Sequence, residues 1–149
     1  MRRIVLVPVA AGLTVPTIAS ALAPPPETAG WELLSRIQVE ERINGDDYAV
    51  VKRFPPEIEN GAPVFEISGF LIPVGVGAET TEFMLVPEAG MCPFCGSPDH
   101  GTAIEVSLAD PLPAVEGEAR VTLRGALHAV KDAQTTQAVV MTDAVPLAG

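Results

Sequence analysis

Val64-Phe65-Glu66-Ile67-Ser68-Gly69-Phe70-Leu71-Ile72 sets Phe65, Ile67 and Leu71 on one side of an extended chain and Glu66 and Ser68 on the other. A period of two is the mark of a strand with one buried face. Gly69 relaxes the pattern, where a bulge or a strong bend fits. The alternation returns downstream. Residues 82–86 turn Phe83 and Leu85 inward, and residues 103–108 do the same with Ile104, Val106 and Leu108. In 120–130, Val121, Leu123 and Leu127 share one parity; Arg120, Thr122, Arg124 and His128 share the other, which directs His128 outward or toward a groove. Residues 137–145 supply a last strand. Five short, mostly antiparallel strands predict an all-β fold, a small five-stranded OB-like barrel of the oligonucleotide/oligosaccharide-binding type. A β-sandwich is the alternative, because the pattern carries no strand order.

Composition agrees with that class. The chain has 13 Gly and 15 Pro among 149 residues, and they separate short apolar runs as turns separate short strands. Ahead of the first barrel strand, Trp31, Leu34 and Ile37 recur every three residues, which predicts a short N-terminal helix with one apolar edge on the body of the fold. Trp31 reads as a core plug. Residues 40–47 are polar and end in a turn at Asn44-Gly45-Asp46; residues 48–51 are a short extended run, and Phe54-Pro55-Pro56 stops any regular element.

The first 21 residues read as a secretory signal. Arg2 and Arg3 precede an uncharged run through Pro26, and small residues at Ala19-Ser20-Ala21 place cleavage after Ala21. An uncleaved anchor is the alternative; Pro8 and Pro16 interrupt the run and disfavour it. Residues 22–30 then form a flexible leader, and 31–149 one domain, a length that supports a single core and not two. The expected location is the bacterial periplasm, with no stable membrane insertion after cleavage. The formal net charge is −10, and the basic residues lost with the signal leave the remainder still more acidic. That balance argues against nucleic acid and anionic membranes as partners.

The soft-ligand chemistry is concentrated in Met91-Cys92-Pro93-Phe94-Cys95-Gly96-Ser97-Pro98-Asp99-His100, on a loop between two predicted strands. Pro93 stiffens the turn and Gly96 permits a positive φ behind the second thiol, so two sulfurs can face one point. This is the knuckle by which zinc sites present two thiolates, with His100 or Asp99 as a third ligand and His128 or water as a fourth. Met91 beside the thiols admits Cu(I) as a softer alternative. The candidate metal ligands are therefore Cys92, Cys95 and His100, and the candidate ion is zinc or copper. A second reading closes Cys92 to Cys95 as a structural disulfide in an oxidising compartment. A third, a dithiol redox pair, lacks the helix N-terminus that lowers a thiol pKa in such proteins. Neither a nucleophile elbow nor an H-E-x-x-H motif occurs, so the expectation is a non-enzymatic protein.

The set Trp31…Leu34, Phe54-Pro55-Pro56, Gly69-Phe70-Leu71-Ile72-Pro73, Glu82-Phe83-Met84-Leu85-Val86-Pro87, Cys92, Val106 and Gly125 resembles a family of uncharacterised exported bacterial proteins with a domain of unknown function. Its members are often encoded beside MacB-like ABC transporters, sometimes in operons that respond to metal starvation. They usually have one cysteine, a histidine two residues on and a proline-rich run. Here Phe94 stands in the histidine's place, and Cys95 and His100 follow. The resemblance implies an accessory protein for an envelope transport or metal-homeostasis system. A protein-interaction module docking on a transporter partner is the alternative, with the cysteines only clipping the loop.

Overall fold

The computed structural model describes residues 26–91, 103–113 and 119–147. Residues 1–25, 92–102, 114–118 and 148–149 lie outside them, and with them the expected signal and most of the cysteine stretch. Helix α1 spans Pro26–Leu34, and the strands are β1 Gln38–Asn44, β2 Asp47–Arg53, β3 Ala62–Pro73, β4 Glu79–Val86, β5 Ile104–Pro113, β6 Ala119–Ala129 and β7 Val139–Pro146.

Strands β3 to β7 close into a barrel of order β3-β4-β5-β7-β6, and β1-β2 form a separate two-stranded sheet. All barrel pairs are antiparallel except β5-β7. This is the all-β, five-stranded OB-like barrel with a short helix that the alternation predicts, and ring closure excludes the sandwich. The inward parity is as read: Ile67, Leu71, Phe83, Leu85, Ile104 and Leu123 are buried in one cluster. Because every strand gives alternate residues to the inside, a ring this narrow is filled by side chains.

Helix α1 begins at Pro26, inside the stretch read as a leader. Proline suits a first helical position, where its missing N–H would have no intrahelical partner. Leu34 and Ile37 enter the core and Trp31 packs against it, its Nε1–H donating to the Ser68 carbonyl at 2.6 Å. Gly69 is what lets the indole in. A Cβ there would stand 2.7 Å from the Val86 carbonyl oxygen and 2.9 Å from Trp31 Cζ2. The glycine therefore marks a close approach, and the register break in β3 falls elsewhere, between Ala62 and Phe65.

Two segments differ from the reading. Residues 38–53 form a full hairpin, with Asn44 opposite Asp47 across the two-residue turn Gly45-Asp46. The turn and the extended run at 48–51, inside β2, were legible; β1 was not, since it is exposed at all but one position and lacks an apolar alternation. Strand β5 also runs on to Pro113, beyond the residues 103–108 read as strand, pairing Leu112 with Thr80 and Pro113 with Glu79. Pairing with β7 ends at Leu108, so the far part of β5 has an open edge, where proline is tolerated.

Candidate functional site

Strands β4 and β5 are antiparallel neighbours, and their last pair at this end is Leu85 with Ile104. The segment joining them leaves and returns at adjacent positions. Its entry is a turn in which the Met91 N–H donates to the Glu88 carbonyl at 3.4 Å. Met91 then packs against a small cluster of Met84, Val86 and Ala103, with Phe70 and Ile72 beside it. Both flanks of the cysteine stretch, Met91 and Ala103, thus rest on one apolar spot. Cys92, Cys95 and His100 themselves lie outside the described residues. Among the described residues, no group of three His, Cys, Asp or Glu side chains could hold a metal ion.

His128 is exposed on β6, as its parity predicts, with Nε2 3.0 Å from Thr142 Oγ1. It lines a shallow hollow of about 260 Å³ with Glu59, Asn60, Gly61, Ala129 and Lys131. The cross-strand row runs Glu105, Val140, His128, so β7 separates this histidine from β5. At about 4.8 Å per strand, its backbone is roughly 10 Å from that of Glu105. Beside it, Asp143 has φ 52°, in a register break where β7 carries one extra residue relative to β6. That is the signature of a bulge, and bulges re-aim neighbouring side chains.

The base of the cysteine stretch is braced from the other side by residues 130–138. The Gln137 side-chain amide donates to the Ala103 carbonyl at 3.3 Å and to the Val139 carbonyl at 2.6 Å. The same segment receives Lys52 from β2, whose ammonium donates to the carbonyls of Val130, Asp132 and Gln137 at 3.0, 2.9 and 2.6 Å. Burial pushes Lys52 below the usual lysine range, and the Asp132 carboxylate opposes that shift. Val50 N–H adds a bond to the Ala133 carbonyl at 2.8 Å. A continuous set of contacts therefore joins the hairpin, the 130–138 segment and Ala103. No sequence signal singled out Lys52 for this role, because its acceptors are backbone carbonyls about eighty residues away, and any residue type carries one.

A family model described as "Protein of unknown function (DUF3299)" matches residues 35–144. No curated protein and no solved structure matches the chain.

Proposed function

The chain belongs to the DUF3299 family of proteins of unknown function, and from that premise we propose, on the chemistry of its own residues, that it is a non-enzymatic metal-binding protein of the periplasm. The ion is zinc or copper and the ligands are Cys92, Cys95 and His100. The observation that carries this reading is the convergence of Met91 and Ala103 on one apolar cluster. A segment whose ends are already held together has much of its loop-closure entropy removed before any ion arrives. Within so short a closed span, two thiols and an imidazole need little further ordering to meet. A set of three protein ligands leaves a position for water or for a ligand from another protein, which suits an ion that is received and passed on. The resemblance supports service to an envelope transport or metal-homeostasis system.

Residues 22–149 prepared anaerobically should bind one equivalent of zinc or Cu(I). Binding should be lost in Cys92→Ser and Cys95→Ser and weakened in His100→Ala, read by bound metal and free-thiol count. A fully reduced protein that takes up neither ion, and whose thiols close to a disulfide that changes only stability, overturns the proposal in favour of a structural clip.

A further inference from the structure

Strand β1 is exposed at six of its seven positions, and among the described strands it pairs with β2 alone. One hydrogen bond fixes which main-chain groups it turns to its other edge. Val50 N–H donates to the Ala133 carbonyl, away from β1, so Glu41 and Val50 form a non-hydrogen-bonded pair of the hairpin. Such pairs alternate with bonded ones along an antiparallel ladder. Val39 and Ile43, two residues to either side of Glu41, therefore direct their N–H and C=O groups to the edge away from β2. An edge of this kind is a template for another strand.

The side chains are arranged about Glu41 as a near palindrome, Gln38-Val39-Glu40-Glu41-Arg42-Ile43-Asn44. Laid antiparallel to a second copy with Glu41 on the two-fold axis, the strand sets Val39 opposite Ile43, Glu40 opposite Arg42 and Gln38 opposite Asn44. Apolar meets apolar, acid meets base, and amide meets amide. Val39 and Ile43 become the hydrogen-bonded pairs, through the groups already turned outward, while Glu40 and Arg42 fall at non-hydrogen-bonded positions, where side chains approach most closely. Within one copy Glu40 already holds Arg42 at 3.1 Å, so the two copies complete a square of four alternating charges.

Neighbouring registers fail. A slip of two residues sets Glu40 on Glu40 or Arg42 on Arg42, and a slip of one turns away the main-chain groups that must meet. The one like-charge contact in the favoured register is Glu41 on Glu41 at the axis, and each of these carboxylates accepts from its own Tyr48 hydroxyl at 3.0 Å. Ile43 is 70% exposed in the single chain, and this register covers it with Val39 of the other copy.

We propose that two copies of this chain associate edge to edge through β1, making a continuous four-stranded sheet of order β2-β1-β1-β2. The pairing is isologous and uses one edge per copy, so it stops at a dimer. A single strand on a strand is a small interface, and the dimer is a weak one. The interface shares no residue with the proposed metal ligands.

The test is sedimentation of residues 22–149 over a concentration series, with a thiol reductant and a chelator present so that neither a disulfide nor a shared ion joins the copies. A reversible monomer–dimer equilibrium is expected. Amide exchange should slow at Val39 and Ile43 as concentration rises, and should not change at Glu40 and Arg42, whose N–H groups face β2. Glu40→Arg and Arg42→Glu should each weaken association by about tenfold or more, because two like-charge pairs replace two complementary ones. Mixing these two variants should restore it, since each Arg of one then faces a Glu of the other. Glu41→Gln should tighten it. A chain that stays monomeric throughout, a dimer indifferent to both charge reversals, or a mixture that associates no better than either variant alone overturns the proposal.

Discussion

Strand β4 and strand β1 lie in the same chain and are both regular, but different forces hold them. On β4, Phe83 and Leu85 lie wholly inside a ring of neighbours, and pairing with β3 and β5 follows from getting those rings and branches out of water. Strand β1 buries almost nothing and pairs only with β2. The hairpin is fastened to the barrel by polar contacts, Lys52 to three carbonyls and Val50 N–H to Ala133, with only Val50 buried and Val39 packed against the core from its two strands. Nondirectional burial makes the barrel cooperative; directional bonds make the hairpin a separable attachment.

The sharpest way to expose that difference is to weaken each region alone. Phe83→Ala should cost about 3–5 kcal/mol, lower the urea midpoint and collapse amide protection in barrel and hairpin together. Lys52→Met removes the ammonium from three carbonyls and should cost about 1–3 kcal/mol. Its mark is local: hydrogen exchange should quicken at Val50 and its hairpin neighbours while amides of β5 and β6 stay protected. If Lys52→Met instead unfolded the whole molecule as Phe83→Ala does, the contrast between the regions would fail. The smallest effect concerns the tie between the end of α1 and the segment leading into the barrel. Arg36 donates to Glu57 at 2.9 Å, and this hydrogen bond holds the carboxyl below its ordinary value. A depressed carboxyl contributes stability above its unfolded-state pKa and loses it as pH falls through the folded one. In Arg36→Met, the Glu57 titration followed by carbon-13 resonance should move back up toward the ordinary range, with the urea midpoint at neutral pH essentially unchanged.

The same contrast explains what could be read from the sequence. Phe65, Ile67, Phe83, Leu85, Ile104 and Leu123 declare their faces because burial imposes a period of two, and four of the five barrel strands follow from it. The ring order does not, since it depends on which strands meet in space. In the hairpin, Gly45 reveals the turn, whereas Gln38-Val39-Glu40-Glu41-Arg42 carries no period because neither face is fully buried. For the site, His128 was placed outward by parity, and that is where it lies. The bracing of Ala103 by Gln137 was illegible, because an amide side chain says nothing of which carbonyl it will meet. Met84 was visible only as the neighbour of two inward residues. That it faces an apolar strip needed the register with Ile72.

The parallel pairing of β5 with β7 also sets an order of events during synthesis. A chain emerging N-terminus first can form the β1-β2 and β3-β4 hairpins early, since each joins neighbours in sequence. The ring cannot close until β7 inserts between β5 and β6, and the acceptors for Lys52 lie just upstream of that strand, at residues 130, 132 and 137. Barrel closure and hairpin attachment therefore both wait on the same late segment, and a nascent chain stays open until residues 130–146 have been made.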